Sequence, residues 1–193
     1  MDERDLIRRS QAGDLRAFEI LVRERRNQVF RIARQILGDD EEAKDIAQMV
    51  FIRLWQTLSR FREGGSFSAW LHRITVNLAI DFLRRRRGRE QLEAREPAVR
   101  EAARAEGGIA EGEMERGEIQ KVFQELAAGL SPRQRAAFVL REIEGFSTGE
   151  VSEILGMRIS TVRNHVHAAR RILQEGLRRL FPEYARRRSG EVS

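Results

Sequence analysis

The chain of 193 residues contains no cysteine. This absence excludes disulfide bonds and metal sites with thiolate ligands, and it is consistent with a reducing compartment. No apolar run approaches the roughly 18 residues that a membrane-spanning helix needs, and the opening MDERDLIRRS lacks the apolar core of a signal peptide. We therefore expect a cytoplasmic protein without membrane insertion.

The sequence also lacks the patterns that many enzymes need. It has no glycine-rich phosphate-binding loop, and its three histidines form no cluster with carboxylates at metal-ligand spacing. The carboxylates at residues 39–42 are explained more simply as the first turn of a helix, where negative charge is favourable. We expect no enzymatic activity, and we assign no catalytic residue, metal ligand or cofactor.

Lysine is nearly absent, since Lys44 and Lys121 are the only two among 36 basic residues. The positive charge is therefore carried by arginine, whose guanidinium binds phosphate through two hydrogen bonds and stacks on bases. The charge is also uneven: residues 1–89 have 19 basic and 13 acidic side chains, residues 90–118 have 4 and 9, and residues 119–193 have 13 and 8. Two basic regions on either side of an acidic middle favour a nucleic-acid partner.

The acidic middle is poor in large apolar residues and contains one proline and the pairs GG and EG. Such a segment buries too little apolar surface to offset its ordering entropy, so residues 89–117 are predicted to be a flexible linker. On both sides, apolar residues recur at helical spacings of three and four. The predicted fold is all-α: a helical domain over 1–88, this acidic linker, a second helical domain over 118–185, and a basic and polar tail over 186–193.

Three helices are predicted in the first domain, over residues 15–37, 39–59 and 66–87. On the second of these helices, small and aliphatic side chains form a core-facing stripe: Ala43, Ala47, Val50, Leu54 and Leu58. The opposite stripe mixes a carboxylate, two amides and two apolar side chains: Asp45, Gln48, Met49, Ile52 and Gln56. This mixture is typical of a protein interface, although single exposed apolar residues are also common on solvated faces.

The third helix, SFSAWLHRITVNLAIDFLRRRR, is apolar around most of its circumference and is therefore predicted to be central to the first domain. A polar strip on it contains Arg73, Asn77 and Arg84. Phe67 and Trp70 lie beside these basic residues, a pattern that can form a stacking surface for unpaired bases. The alternative is that both aromatic side chains belong to the core.

Two capping boxes are predicted in the second domain, one made by Ser131 with Gln134 and one by Ser147 with Glu150. The first also has a proline at the first helical position. It opens a helix that is predicted to end near residue 145, and the second opens a short helix that is predicted to end at Gly156. These signals therefore place two helices close together in the chain.

A long last helix, with Ser160 as its predicted cap, completes a helix-turn-helix, in which the last helix enters the major groove of DNA. Ser152, Gly156 and Val162 have the spacing that this geometry requires: a small residue where the helices touch, a glycine in the turn and an apolar anchor. A helix-turn-helix is therefore predicted for the second domain.

The stretch NHVHAARR begins at residue 164 and raises the question of a metal site, because it holds two histidines. On a helical wheel the outward-facing side chains are Arg163, Asn164, His167 and Arg171. His165 borders the packed side. Residues two apart on a helix do not face each other, so the two histidines are not predicted to bind one ion, and His167 is predicted to contact DNA.

With both domains in view, the chain resembles a bacterial RNA polymerase sigma factor of the extracytoplasmic-function (ECF) group. DIAQMVFIRLW resembles the polymerase-binding helix of that family, and FSAWLHRITVNLAIDFLRRR resembles its promoter-melting segment. LSPRQRAAFVLREIEGFSTGEVSEILGMRISTVRNHVHAARRIL resembles the domain that reads the upstream promoter element. The motifs occur in the family's order with a linker of the right length.

The resemblance implies roles for these side chains. The outer stripe of the second helix would bind core RNA polymerase, and the loop before the third helix would help to hold a flipped base. The minus-ten element of promoter DNA would be contacted by Phe67, Arg73, Asn77 and Arg84. The minus-thirty-five element would be contacted by Arg163, Asn164, His167 and Arg171. An anti-sigma factor is a further partner that the resemblance implies.

The sequence departs from the family pattern at three positions: Met49, where an acidic residue is usual, and His165 and Ala168, where arginines are common. At Met49 the contact with polymerase is therefore expected to be more apolar than in the family. The main rival hypothesis is a helix-turn-helix regulator that binds duplex DNA without forming a holoenzyme. That hypothesis accounts for the second domain but not for the stripe that contains Met49 and Ile52.

Overall fold

The computed structural model describes residues 2–62, 64–93 and 121–182, and all regular secondary structure within these ranges is helical. The first lobe contains α1 (Glu3–Gln11), α2 (Leu15–Leu37), α3 (Asp40–Thr57), one 3-10 turn (Leu58–Arg60) and α4 (Phe67–Glu93). The second lobe contains α5 over the described residues 121–127, α6 (Pro132–Phe138) with a π-helical continuation (Val139–Ile143), α7 (Thr148–Leu155) and α8 (Ile159–Leu180). The predicted all-α fold class is confirmed.

Polar caps and one glycine set the boundary between α2 and α3. The Asp14 carboxylate accepts a hydrogen bond from the backbone N–H of Ala17 at 3.1 Å and starts α2. Gly38 ends α2 in the left-handed conformation, at φ +85°. Asp39 then accepts from the backbone N–H of Glu42 at 2.8 Å and starts α3. The predicted helices agree with α2 and α3, except that the end of the second is the 3-10 turn.

Helix α1 was not predicted from the sequence. Its nine residues carry only two buried aliphatic side chains, Leu6 and Ile7, which is too few to produce a clear helical periodicity. Its position depends on contacts with distant residues, because the Gln11 amide donates to the carbonyl oxygens of Leu58 and Phe61 at 2.9 Å each. Helix α1 is thereby anchored to the turn that follows α3.

Helix α4 continues to Glu93, six residues beyond its predicted end at Arg87. Gly88 is tolerated inside the helix because strong helix formers surround it, and Arg86 forms an i,i+4 ion pair with Glu90 at 3.8 Å. The start of the predicted linker is therefore helical. The rest of that linker, the first residues of the predicted second domain and the predicted tail lie outside the described residues.

Both predicted capping boxes are confirmed. The backbone N–H of Ser131 donates to the Gln134 side chain at 2.8 Å, and the backbone N–H of Gln134 donates to the Ser131 hydroxyl at 3.3 Å. Ser147 and Glu150 form the same reciprocal pair at 2.8 and 3.2 Å. These hydrogen bonds fix the first residues of α6 and α7.

The turn between α7 and α8 is shorter than predicted. Gly156 ends α7 at φ +61°, and the Ser152 hydroxyl donates to the carbonyl oxygen of Met157. Because the turn closes this early, α8 begins at Ile159, and the residue before it occupies the cap position without a side-chain hydrogen bond. The prediction that Ser160 caps this helix is therefore wrong.

The two lobes pack against each other along α4. Helix α4 contacts α2 and α3 in the first lobe and α6 and α7 in the second. One apolar core extends across both lobes, from Leu54 and Leu71 on one side to Leu140 and Ile154 on the other. A smaller cluster joins the end of α5 to α8: Ala127, Leu130, Ala169 and Leu173. Helix α4 is thus central to the whole described structure, and not to the first lobe alone.

Candidate nucleic-acid and protein interfaces

The stripe predicted on α3 lies on the outside of the first lobe. All five of its members are exposed: Asp45, Gln48, Met49, Ile52 and Gln56. Ile52 is 58% exposed, and Trp55, which the sequence analysis did not single out, is also exposed, with its ring centroid 4.8 Å from that of Phe18 on α2. We call the five residues together with Trp55 the α3 surface, and its apolar part is wider than predicted.

The polar part of the α3 surface includes an unpaired carboxylate. Asp45 forms no ion pair within the described residues, whereas the nearby Asp40 is paired with Arg34 at 2.5 Å. The carboxylate of Asp45 is therefore available to a basic partner. Exposed apolar side chains with polar groups around them are typical of protein-binding surfaces.

A groove of about 400 Å³ runs between the end of α3 and the first half of α4. Its lining is basic, polar and aromatic, and includes Arg53, Arg60, Trp70, Arg73, Asn77 and Asp81. Arg73 and Asn77 are exposed, as expected for DNA contacts, and Arg84 lies further along α4, paired with Asp81 at 3.2 Å. This α4 groove combines an excess of guanidinium groups with an aromatic side chain, which suits a single nucleic-acid strand.

Phe67 does not line the α4 groove. It is 4% exposed, and its ring packs edge-on against that of Phe61, with centroids 5.6 Å apart. The Phe61 ring in turn lies 5.2 Å from that of Trp70. This burial favours the alternative that Phe67 is a core aromatic, and its role as a base contact stays a prediction. Trp70 is the aromatic side chain that the groove presents.

The arginine run at the end of α4 is partly occupied by contacts with other elements. Arg86 is paired with Glu42 of α3 at 2.8 Å. Arg87 reaches the second lobe and donates to the carbonyl oxygens of Ala128, at 2.8 Å, and Leu130. Arginines that bind carbonyls and carboxylates of their own chain are not free to bind phosphate at the same time.

The outward side of α8 carries the four predicted DNA contacts, and all four are exposed: Arg163, Asn164, His167 and Arg171. We call them the α8 surface. The opposite side is buried, with Val162 and Ala169 at 0% exposure. Arg170, at the border of this exposed face, is instead paired with Glu142 at 2.8 Å. The helix therefore presents one polar face to solvent and is held by its apolar face.

His165 and Ala168 are half-buried, at the boundary of the packed side of α8. Burial lowers the pKa of His165, and the nearby Arg133 lowers it further. Both effects favour the neutral imidazole. The position agrees with the predicted role as a boundary residue, and His165 and His167 do not share a face.

An ion pair and an aromatic contact join the two lobes. Arg31 of α2 binds Glu144 through two hydrogen bonds, at 2.6 and 3.1 Å, and the Glu144 side chain is 3% exposed. The ring of His72 on α4 lies 5.0 Å from that of Phe146 in the second lobe. The α4 groove also meets the helix-turn-helix, because a Cβ placed on Gly156 would lie 3.2 Å from a guanidinium nitrogen of Arg73. The α4 groove and the turn that precedes α8 are thus neighbours.

Arg135 of α6 is a buried cation at the lobe contact. It is 4% exposed, and its Nε and one terminal nitrogen have no hydrogen-bond partner within the described residues. The pKa of Arg135 is lowered to about 10, mainly by burial; the charges of Arg86 and Arg87 also lower it, and that of Glu42 opposes them. No local sequence pattern marks this residue, because its surroundings come from helices distant in the chain.

Two negative observations apply to the part of the chain that the structure describes. None of its helices is long and apolar enough to cross a membrane. Its histidine, aspartate and glutamate side chains form no group of three or more that could hold a metal ion.

Comparison with known proteins identifies the class. The Sigma-70 region 2 family matches residues 21–89, and the Sigma-70 region 4 family matches residues 120–173. The first match contains α3 and most of α4, and the second contains the helix-turn-helix. The chain is a sigma factor, a promoter-recognising transcription initiation factor of RNA polymerase.

Its relatives identify the group of sigma factors to which the chain belongs. The chain is 35% identical over 169 residues to the ECF RNA polymerase sigma factor SigE of Mycolicibacterium smegmatis, a match that covers 88% of this chain and 65% of SigE. It is 30% identical to the ECF RNA polymerase sigma factor SigW of Bacillus subtilis, over 90% of this chain and 96% of SigW. It is 31% identical to the RNA polymerase sigma-H factor of Pseudomonas aeruginosa, over 94% and 96%. The chain belongs to the ECF group.

Two solved structures share the fold. One is CnrH, solved in complex with the cytosolic domain of CnrY, with a TM-score of 0.64, 24% identity and coverage of 91% of this chain and 96% of that one. The other is the sigma factor RpoE of Bartonella quintana, solved with the anti-sigma factor NepR, with a TM-score of 0.62, 24% identity and coverage of 85% and 98%. The likeness confirms the arrangement of helices.

The buried His72 gives folding stability a pH dependence. The charged groups that face it are Arg25 and Arg31 of α2, and Glu144 and Glu150 of the second lobe. Burial is the largest effect and lowers the pKa of His72 from 6.5. As the pH falls below this ordinary value, the unfolded chain takes up the proton first, so stability is lost between the ordinary and the lowered pKa.

We expect the urea midpoint of the wild-type protein to fall more between about pH 7.5 and 5.5 than that of His72→Gln, which has no titrating group at this position. The exposed His167→Gln should follow the wild type. Equal losses in the wild type and in His72→Gln would show that another group causes the acid sensitivity.

Proposed function

We propose that this sigma factor acts in the cytoplasm, binds core RNA polymerase through the α3 surface, and binds promoter DNA through the α4 groove and the α8 surface. It catalyses no reaction itself. The observation that carries this proposal is that three exposed surfaces of different chemistry lie on three helices. One is apolar with a free carboxylate, one is aromatic and basic, and one is basic and polar.

The α3 surface fits a protein partner better than DNA. Its centre contains Met49, Ile52 and Trp55, which are 42, 58 and 37% exposed and would leave water on binding. The Asp45 carboxylate beside them repels phosphate and attracts a basic side chain. Core RNA polymerase is the partner that a sigma factor requires, so we assign this surface to it.

A substitution on the α3 surface tests the assignment. We expect Ile52→Asp to weaken binding of core polymerase at least about tenfold, because a charge replaces an apolar contact in a desolvated interface. Leu92→Asp is the matched control, since Leu92 is 65% exposed near the end of α4 and lies outside the α3 surface. Fluorescence anisotropy measures the affinity of each variant for core polymerase. Equal affinities of the two variants would contradict the assignment.

The α4 groove is assigned to the separated strand of the minus-ten element. Trp70 offers an aromatic face, and stacking of a base on such a face contributes about 1–3 kcal/mol. Asn77 offers an amide that both donates to and accepts from base edges. Arg73 supplies a charge for the strand backbone. A groove with these groups holds unpaired bases, which is the chemistry that strand opening needs.

The α8 surface is assigned to the minus-thirty-five element. Arg163, Asn164, His167 and Arg171 follow one side of a helix whose other side is held by the lobe. Arginine and asparagine are the side chains that read base edges in the major groove. The helix-turn-helix geometry supports insertion of this face into duplex DNA.

Arg171 provides a test of the α8 surface. We expect Arg171→Ala to weaken binding to a minus-thirty-five duplex and to reduce the slope of log affinity against log salt by about 1, because one phosphate contact is lost. Arg170→Ala is the control, since Arg170 is adjacent but paired with Glu142. If both variants keep the wild-type slope, Arg171 lies outside the interface.

The packed lobes must separate for promoter binding. The minus-ten and minus-thirty-five elements are separate stretches of the same DNA, which rises about 3.4 Å per base pair. In the structure, the α4 groove touches the turn that precedes α8. We infer two domains that open on the promoter, and we infer that an anti-sigma factor acts by holding them away from polymerase and DNA.

A cross-link between the lobes tests this opening. Because the chain has no cysteine, Arg31→Cys with Glu144→Cys provides two unique thiols, which a reducible bifunctional reagent can join. We expect the linked protein to fail in open-complex formation and to recover after the linker is cleaved. Each single-cysteine variant treated with the same reagent is the control. Full activity of the linked protein would show that the packed form binds the promoter.

The rival hypothesis is a helix-turn-helix regulator that acts without a holoenzyme. It gives no role to the α3 surface or to the α4 groove. The two hypotheses differ in one direct measurement, transcription in vitro. With purified core polymerase and a promoter library, a sigma factor starts transcripts that core polymerase alone does not, whereas such a regulator starts none.

A further inference from the structure

A cavity of about 350 Å³ lies between the two lobes, beside the last turns of α4. The first lobe contributes the end of α2, the start of α3 and these turns of α4, and the second lobe contributes α5 and α6. We call it the interlobe cavity. Within the described residues it shares no lining side chain with the α4 groove, and its size lies at the small end of the range of ligand sites.

Arg135 of α6 lines the interlobe cavity with donors that have no acceptor. It is 4% exposed, and its Nε and one terminal nitrogen have no hydrogen-bond partner in the part of the chain that the structure describes. The charge of Glu42 acts on it, but this carboxylate accepts a hydrogen bond from Arg86 at 2.8 Å. A buried guanidinium destabilises the fold unless its N–H groups find acceptors. A negatively charged acceptor from outside the chain would satisfy these donors.

Gln124 of α5 brings a second donor of the same kind to the cavity. Its amide nitrogen is buried and has no hydrogen-bond partner among the described residues. The amide lies against Gly38 at the end of α2, since a Cβ at that position would overlap it. Two side chains of the second lobe thus present unsatisfied N–H groups to one cavity.

The walls of the cavity carry more positive than negative charge. Three guanidinium groups line it together with two carboxylates: Arg86, Arg87, Arg135, Asp39 and Glu90. Arg86 lies 3.8 Å from Glu90, and the Asp39 carboxylate caps α3. Arg87 and Arg135 form no ion pair within the described residues, because the hydrogen bonds of Arg87 go to neutral carbonyl oxygens. An anion would balance this charge without taking the hydrogen bonds of Arg87.

We propose that the interlobe cavity binds a small oxyanion of the phosphate type, either inorganic phosphate or the phosphate group of a small nucleotide, through the side chains of Arg135 and Gln124. Phosphate oxygens are strong acceptors for guanidinium N–H groups, and the planar guanidinium fits them with paired hydrogen bonds. The volume of the cavity suits a ligand of this size and excludes a DNA duplex.

Both lobes supply walls of this site, so the anion binds the packed form more tightly than a form in which the lobes are separated. A ligand that prefers one of two states shifts the population towards that state. The bound anion therefore stabilises the packed form and opposes promoter binding. This consequence rests on the proposed function, in which the lobes separate on the promoter, whereas the binding of the anion does not.

The first experiment measures binding of inorganic phosphate to the full chain by isothermal titration calorimetry at constant ionic strength. We expect Arg135→Met to bind phosphate at least about tenfold more weakly than the wild type, because a charged hydrogen-bonding group is lost. Gln124→Met should weaken binding severalfold. Arg133→Met is the control, since Arg133 is an exposed arginine of the same helix that does not line the cavity. Equal phosphate affinities of Arg135→Met, Gln124→Met and Arg133→Met would overturn the site.

Urea unfolding separates loss of the site from loss of the fold. Without phosphate, we expect Arg135→Met to have a urea midpoint equal to or higher than that of the wild type, because an unsatisfied buried charge has been removed. Phosphate should raise the midpoint of the wild type and of Arg133→Met more than that of Arg135→Met. The general stabilising effect of phosphate is common to all three proteins.

The same titration with ATP identifies the source of the phosphate group. An affinity for ATP above that for inorganic phosphate, lost in Arg135→Met, would assign the site to a nucleotide. An equal or lower affinity would assign it to free phosphate. A wild-type protein that binds neither probe would overturn the proposal.

The last experiment measures open-complex formation by the holoenzyme as phosphate is added at constant ionic strength. We expect phosphate to inhibit the wild type at severalfold lower concentrations than Arg135→Met. Equal inhibition of both would overturn the coupling between anion binding and the packed form. A holoenzyme that forms no open complex without phosphate would contradict the proposed function instead, so the two failures are distinguishable.

Discussion

The apolar circumference of α4 is the constraint on which the rest of the structure depends, because such a helix must be covered on several sides. Helices α2 and α3 cover it in the first lobe, and α6 and α7 cover it in the second. Leu71 and Val76 of α4 are fully buried, and burial of an aliphatic side chain contributes about 1.5–3 kcal/mol. The surface that folds the first lobe therefore also holds the second lobe in place. Separation of the lobes requires another cover for this surface or a partner that compensates for its exposure.

Features that depend on neighbouring residues were predictable. The two capping boxes need groups only three residues apart, and the stripes on α3 and α8 follow from the helical period. Helix α1 was missed because two aliphatic residues give too weak a period. Phe67 was ambiguous for another reason: an aromatic residue before a basic strip has the same pattern whether it stacks on a base or on Phe61. The three-dimensional contact with Phe61 favours the second of these roles.

The contacts between the lobes could not be predicted from this single sequence. Arg31 and Glu144 are 113 positions apart in the chain, and no local pattern pairs them. The same is true of His72 with Phe146 and of the buried Arg135. The candidate site was therefore predicted as separate helical faces, whereas the structure brings the α4 groove next to the turn that precedes α8.

The guanidinium of Arg87 donates hydrogen bonds to the carbonyl oxygens of Ala128 and Leu130. Contact between the lobes and binding of a phosphate would therefore compete for this one group. While it binds the end of α5, it is not free to bind a phosphate, and a phosphate that displaced these bonds would remove a link between the lobes. Salt weakens phosphate contacts because it reduces the entropy gained when condensed counterions are released, but it acts much less on bonds to neutral carbonyls. Higher ionic strength therefore favours the bonds of this guanidinium to its own chain over a bond to phosphate.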